Sequence, residues 1–261
     1  MKKSLSAMIK AFLFEGVRIM DTVLITGGSR GIGREISKRL SKKYLVAANY
    51  NKSEKEAMEL KKEILEAGGN CEIFKADIGK YDEVVNMINE IRKRMGNISV
   101  LINNAGISKY GLIQDISVDE WKKIFNVNVE GMFFTVKNVV PDMIKRKKGI
   151  IINISSMWGI TGSSYETLYS STKGAVNAFT KSLAKELGPS NIRVNAVAPG
   201  VINTEMNKNL SKEDVADLIY NTPLNRMGLS KDIANVVDFL ISDEASFITG
   251  EIINVNGGFL I

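Results

Sequence analysis

The chain has 261 residues, 44% hydrophobic and 25% charged, with a formal net charge of +6, a single cysteine and no histidine. Without histidine there is no Ser-His-Asp or Cys-His nucleophile and no histidine-ligated zinc, so acid–base chemistry falls to Tyr, Lys, Asp or Glu. The lone Cys71 forms neither an internal disulfide nor a CxxC site; it reads as a buried strand residue and fits a reducing cytoplasm.

Residues 1–20 stand apart as an N-terminal extension. Lys2, Lys3 and the stretch from Ala7 to Phe14 imitate a signal peptide, but Lys10 interrupts the apolar run and no small-residue cleavage site follows. Met20 is the expected native start, because Glu15-Gly16-Val17 can be encoded by a purine-rich ribosome-binding sequence just ahead of its codon. No run approaches the ~20 apolar residues of a spanning helix, so no membrane partner is expected.

From residue 21 onward, short β-rich runs alternate with helical periods. Strands are predicted over 22–26, 44–50, 71–75, 100–103, 150–154, 193–198 and 252–255. Between them, apolar residues recur at helical spacing: Ile32, Ile36, Leu40; then Leu60, Ile64, Ala67; then Val84, Ile88, Ile91, Met95. Ser53 with Glu56 and Ser117 with Glu120 read as capping boxes, and Gly68-Gly69 and Gly188-Pro189 as helix stops. Alternating βα units dictate a parallel sheet with helices on both faces, and the run Ile150-Ile151-Ile152 suits a strand covered on both sides. With no linker or repeat, residues 21–261 read as one doubly wound, Rossmann-type α/β domain with a central seven-stranded parallel sheet. The basic run Lys145-Arg146-Lys147-Lys148 has no interleaved aromatics and reads as a solvated helix end, not a nucleic-acid surface.

Two motifs carry the chemistry. Thr26-Gly27-Gly28-Ser29-Arg30-Gly31-Ile32-Gly33 follows the first strand and opens a helix, where free N–H groups and the dipole favour a pyrophosphate. The second strand ends Asn49-Tyr50-Asn51-Lys52-Ser53, and no acid occurs between Glu35 and Glu54 to bind a ribose 2′-hydroxyl. Arg30 and Lys52 instead favour the 2′-phosphate of NADP(H). Candidate cofactor contacts are Gly27, Ser29, Arg30, Gly31, Ile32 and Gly33 in the loop, then Asn49, Asn51 and Lys52. Asp77 and Ile78 follow the third strand, where an adenine amino group could be bound, and Asn104, Ala105 and Gly106 follow the fourth.

The second motif is Tyr169-Ser170-Ser171-Thr172-Lys173. A tyrosine hydroxyl is a poor acid near neutrality unless its anion is stabilised, and a lysine one helical turn away supplies that field. Ser156, after the fifth strand, is placed to hydrogen-bond a substrate carbonyl, and Asn128 to hold a water joining Lys173 to solvent.

Taken together, these residues resemble the short-chain dehydrogenase/reductase family from about residue 21 to the end. Arg193-Val194-Asn195-Ala196-Val197-Ala198-Pro199-Gly200, Phe247-Ile248-Thr249-Gly250 and Asn256-Gly257-Gly258 match as well. The resemblance implies a catalytic tetrad of Asn128, Ser156, Tyr169 and Lys173, with Tyr169 and Lys173 also touching the cofactor. It implies nicotinamide contacts near Pro199, Gly200, Ile202 and Thr204, a lid from Thr204 to about Pro223, and a homotetramer. A non-catalytic nucleotide sensor usually lacks the tyrosine or lysine, and here all four tetrad positions are filled. The helix from Ala175 to Leu187 carries Ala175, Ala178, Phe179 and Leu183 beyond one buried stripe, which two-fold pairing would cover.

Among subfamilies the chain resembles 3-oxoacyl-[acyl-carrier-protein] reductases most, which implies a 3-oxoacyl thioester substrate, a place in fatty acid biosynthesis and acyl carrier protein as partner. Of the two cations that grip the carrier protein there, Lys147 is present, but Ser190 stands where arginine is expected. The stretch Tyr165-Glu166-Thr167-Leu168-Tyr169 resembles the elongation factor P 5-aminopentanone reductases, whose ketone carries a cationic amine. Glu166 is either a solvated loop residue or a group that attracts such an amine.

Overall fold

The computed structural model describes residues 20–207 and 211–261; the extension over 1–19 and residues 208–210 of the expected lid lie outside the described residues. Seven apolar runs form strands: β1 (Thr22–Ile25), β2 (Leu45–Tyr50), β3 (Cys71–Lys75), β4 (Ile98–Asn103), β5 (Gly149–Ile154), β6 (Ile192–Pro199) and β7 (Ile252–Val255). They pair in parallel in the order β3-β2-β1-β4-β5-β6-β7. The order reverses between β1 and β4, and beyond their carboxyl ends such a sheet opens a ligand crevice.

The helices are α1 (Gly31–Leu40), α2 (Glu54–Glu66), α3 (Tyr81–Met95), α4 (Val118–Phe125) and α5 (Gly131–Arg146). They continue with α6 (Trp158–Thr161), α7 (Thr167–Leu187), α8 (Lys212–Tyr220) and α9 (Ser230–Ile241). Successive strand residues point to opposite faces. Val23 and Ile25 pack with Ile36 and Leu40 of α1, Leu60 of α2 and Val237 of α9. Leu24 turns to the other face, among Ile88 of α3, Val139 of α5 and Leu187 of α7. One chain thus builds two cores, one on each side of the sheet, as expected for a doubly wound domain.

The differences from the sequence expectation have local causes. β2 starts at Leu45 because the Tyr44 N–H closes the end of α1 on the Leu40 carbonyl at 3.0 Å. β4 begins at Ile98, which pairs with Thr22 before the register shifts. The capping box of Ser117 and Glu120 forms. That of Ser53 and Glu56 does not: Ser53 makes no side-chain cap, and its hydroxyl lies 2.8 Å from Ser29 Oγ in the glycine loop.

The basic run is only partly a solvated helix end. Arg146 donates to the Ile98 carbonyl at 2.7 Å and to Ser99 Oγ at 3.0 Å, and Lys148 pairs with Asp21 at 2.9 Å, so both pin the end of α5 to the starts of β4 and β1. Lys147 takes a left-handed conformation (φ 49°) that ends α5. On α7, Leu183 belongs to the chain's own core, whereas Ala178 is exposed. Among the described residues no helix is long and apolar enough to cross a membrane, and no group of three potential His, Cys, Asp or Glu metal ligands occurs.

Polar side chains also lie inside the sheet, next to the crevice. Asn103 and Asn153 are register partners on β4 and β5, so their side chains meet on one face. Asn103 Nδ2 donates to Asn153 Oδ1 at 2.9 Å, Thr135 of α5 donates to Asn103 Oδ1 at 2.7 Å, and Asn153 donates to Thr180 of α7 at 2.9 Å. Each buried group is satisfied, and the chain of bonds fixes α5 and α7 against the strand ends.

Candidate active site

The turn after β1 is shaped by two glycines in different ways. Gly31 sits at φ 51°, a left-handed conformation that side chains resist. A Cβ on Gly33 would lie 2.3 Å from the Gly27 carbonyl oxygen and 2.5 Å from Asn104 Nδ2, so only glycine lets α1 come this close to the strand ends. Asn104 Nδ2 donates to the carbonyls of Thr26 and Gly27, each at 3.0 Å. Thr26 Oγ1 accepts from the N–H groups of Asn104 at 3.0 Å and Ala105 at 3.1 Å. Asn49 is buried and braces the loop from the other side. Its Oδ1 accepts from Gly27 N–H at 3.2 Å, and its Nδ2 donates to the Ala76 carbonyl at 3.0 Å.

The N-terminus of α1 has no side-chain cap and no acid in its first turn, which leaves its N–H donors for an anion such as a pyrophosphate. Around this cradle Asn51 and Lys52 are exposed and Ile32 is half-buried, while Ser29 is buried against Ser53. Asp77 accepts from Gly79 N–H at 3.0 Å, and Ile78 is buried beneath Gly131. Asn126, not singled out by the sequence motifs, donates to the Gly79 carbonyl at 2.9 Å and holds this turn. Arg30 is not idle: its guanidinium pairs with Glu205 at 2.9 Å across the mouth of the cleft. Beside it, Thr204 lies 3.5 Å from where a Cβ on Gly31 would stand, so the segment after β6 crosses over the glycine loop. That segment is anchored by the Gly200 N–H on the Val255 carbonyl at 2.9 Å, by buried Pro199, and by the bridge between Ile202 and Gly228.

The four expected catalytic residues converge beside this loop. Lys173 is 4% exposed, and its ammonium donates to the Ile154 carbonyl at 2.7 Å and stands 5.5 Å from the centre of the Tyr169 ring. Burial pulls the Lys173 pKa down to about 8. The Tyr169 hydroxyl is pushed well above its ordinary value by burial and by the Glu166 carboxylate, while a hydrogen bond with the Ser156 side chain works the other way. Both members of the pair are thus driven toward their neutral forms. Asn128 lies in a π-helical turn, Asn126–Glu130, and its amide bonds to the loop after β4. Its Oδ1 accepts from Ile107 N–H and its Nδ2 donates to the Ile107 carbonyl, both at 2.9 Å. The two bonds leave one lone pair of Oδ1 unused. A Cβ on Gly106 would lie 3.4 Å from Asn128 Oδ1 and 3.7 Å from the Lys173 ammonium, so glycine keeps this corner open.

Glu166 is not a solvated loop residue. It is 7% exposed, with its carboxyl on the Trp158 side chain, and burial raises its pKa to about 6. It is close enough to raise the pKa values of Tyr110 and Tyr169 by charge repulsion. The residue before it, Tyr165, takes φ 62°, a conformation uncommon for a tyrosine, and its carbonyl accepts from Gly111 N–H at 2.9 Å. At the far end of α5, Asn191 donates to the Lys147 carbonyl at 3.1 Å, which places Lys147 beside the Gly188–Ser190 turn.

Comparison with known proteins agrees with this geometry. The sequence profile described as short chain dehydrogenase matches residues 21–215. The 3-oxoacyl-[acyl-carrier-protein] reductase FabG of Staphylococcus epidermidis (strain ATCC 12228 / FDA PCI 1200) is 41% identical over 238 residues, 91% of this chain and 98% of that protein. The reductase of the same name from Staphylococcus aureus (strain N315) is 40% identical over 243 residues, 93% of this chain and 99% of its own length. The oxidoreductase YmfI of Bacillus subtilis (strain 168) is 40% identical over 243 residues, 91% of this chain and 98% of that protein. With a seven-stranded parallel sheet, a glycine loop at its switch point and matches over nine-tenths of its length, the chain belongs to the short-chain dehydrogenase family of oxidoreductases.

Proposed function

We propose that this protein is an NADPH-dependent ketone reductase, working in a reducing cytoplasm, whose substrate is a 3-oxoacyl thioester. The observation that carries the reading is the Tyr169 hydroxyl, bonded to Ser156 and one helical turn from the buried Lys173. Gly27, Gly31, Ile32 and Gly33 would hold the pyrophosphate, Arg30 and Lys52 the 2′-phosphate, and Asp77 and Ile78 the adenine. Asn104, Ala105 and Gly106 line the floor, and Pro199, Gly200, Ile202 and Thr204 flank the nicotinamide, which supplies the hydride. The Ser156 and Tyr169 hydroxyls together donate to the ketone oxygen. Tyr169 then gives its proton to the nascent alkoxide, and the Lys173 charge stabilises the tyrosinate left behind. The names of the staphylococcal relatives support the thioester, and exposed Lys147 supports a carrier-protein contact on that face.

A second reading is favoured by Glu166. A buried carboxyl beside the proton donor suits a ketone that carries a cationic amine, as on a modified elongation factor. A homotetramer is supported by apolar side chains left in water on α4 and α5, namely Val118, Trp121 and Phe133, and by a fully exposed Phe247 ahead of β7.

Five outcomes are expected. Tyr169→Phe loses about 10²–10⁴-fold in turnover while still binding NADPH; retention of more than about a tenth of wild-type turnover would place the proton elsewhere. NADPH is preferred over NADH by roughly tenfold to hundredfold in affinity, the value of a charge-assisted phosphate contact. Because Glu205 competes for Arg30 through an exposed ion pair, Glu205→Gln tightens NADPH by up to about fivefold and leaves NADH unchanged, as read by fluorescence titration.

Side-by-side assays of acetoacetyl thioesters and an amine-bearing ketone decide the substrate. Turnover of the thioester with indifference to Glu166→Gln supports the first reading. For the second, turnover is confined to the amine, falls as pH drops through about 6 while Glu166 takes up a proton, and is lost in Glu166→Gln. Light scattering at micromolar concentration gives four times the 28.8 kDa chain mass, and a monomer refutes the assembly.

A further inference from the structure

Asn128 has a third partner besides the Ile107 peptide. Its Nδ2 donates to Thr172 Oγ1 at 3.1 Å, and the same hydroxyl donates to the Tyr169 carbonyl at 2.7 Å. Thr172 is completely buried, and its one hydrogen and one of its lone pairs are both in use. These bonds decide which way the amide faces. With Ile107 N–H on one atom and two acceptors on the other, only Oδ1 toward Ile107 N–H satisfies the group. That orientation presents an oxygen, not an N–H, at the corner beside Gly106, where the Lys173 ammonium also stands. The hydroxyl further ties the π-helical turn to the turn of α7 that carries the acid–base pair. Single π turns within helices recur at functional sites.

We propose that Thr172 is a positioning residue, which holds the Asn128 amide and the π-helical turn in register with Tyr169 and Lys173. The proposal rests on Tyr169 and Lys173 being the reacting pair. Without the hydroxyl, Asn128 loses its tie to α7 and one buried N–H is left unpaired, while the Ile107 peptide alone holds the amide, so the π-helical turn is no longer fixed against the turn of α7 that carries Tyr169 and Lys173. The titratable groups around this pair are Glu166, on the loop before α7, and Tyr110, on the loop after β4, and neither touches Thr172.

The test compares Thr172→Val, nearly isosteric but without the hydroxyl, with Thr172→Ser, which keeps it. Thr172→Ala serves if the valine variant does not accumulate. Turnover in Thr172→Val is expected to fall on the order of tenfold to hundredfold, with the ketone KM and the NADPH Kd unchanged. Thr172→Ser recovers most of the turnover. Combining Thr172→Val with Asn128→Ala costs no more than the greater single loss, because the two act as a unit. Wild-type kcat in Thr172→Val, equal losses in the valine and serine variants, or additive losses in the double variant would each overturn the proposal. Tyr169→Phe, run alongside, separates the two levels: if it stays active, the catalytic reading itself has failed. If it is inactive while Thr172→Val is normal, only the role of Thr172 has.

Discussion

Asn104 locks the glycine loop to the end of the fourth strand, and the geometry of the cleft follows from that contact. Its amide donates to two carbonyls of the loop, while the Thr26 hydroxyl takes the N–H groups of Asn104 and Ala105. The contact exists only because position 33 has no side chain; any Cβ there would collide with both the loop carbonyl and the Asn104 amide. The start of α1 is thereby held against the switch point of the sheet, with its N–H groups facing the crevice. Asn49 repeats the device from the second strand, joining the loop to the Ala76 carbonyl after the third. Four strand ends are thus held in one polar, hydrogen-bonded frame.

On this frame the electrostatics of the cleft are set by burial. Lys173 gives up its hydration for one carbonyl, and its pKa falls; Tyr169 loses hydration as well, and its pKa rises. Burial disfavours the charged form of each group, yet with a pKa of about 8 Lys173 still carries its proton near neutrality. Glu166 is driven the same way, toward its protonated form. A carboxyl in that position would work against the tyrosinate if it stayed charged and unpaired. The cleft therefore favours either a protonated Glu166 or a substrate that brings its own cation.

The outer surface shows how much of a cationic chain is already in use. Arg146 and Lys148 serve the sheet edge, and Arg39 and Lys43 share Asp238 at 2.9 Å each. Arg30 is held by Glu205, a carboxylate standing where a phosphate would compete for the same fork. Exposed ion pairs of this kind are weak, so a dianionic phosphate would displace the carboxylate at little cost. Lys147, itself the left-handed residue that ends α5, is exposed next to the turn holding Ser190.

The sequence by itself determined the architecture and the identities at the site. Alternating apolar runs with helical periods between them specify a covered parallel sheet, because only helices on both faces bury strands such as Ile150-Ile151-Ile152. Glycine spacing and the pair Tyr169 and Lys173 were equally legible, since backbone freedom and helical pitch are local properties. Tertiary structure decided what each polar side chain does. Ser53 has the sequence of a helix cap but reaches Ser29 instead, and Asn49 and Asn104 brace the loop because distant strand ends bring carbonyls to them. Glu166 was ambiguous in the sequence because exposure is not local; the fold buries it against Trp158. Thr172 and Asn126 carried no signal at all, because their partners lie 44 and 47 residues away and meet them only when α7, the π-helical turn and the end of β3 are assembled.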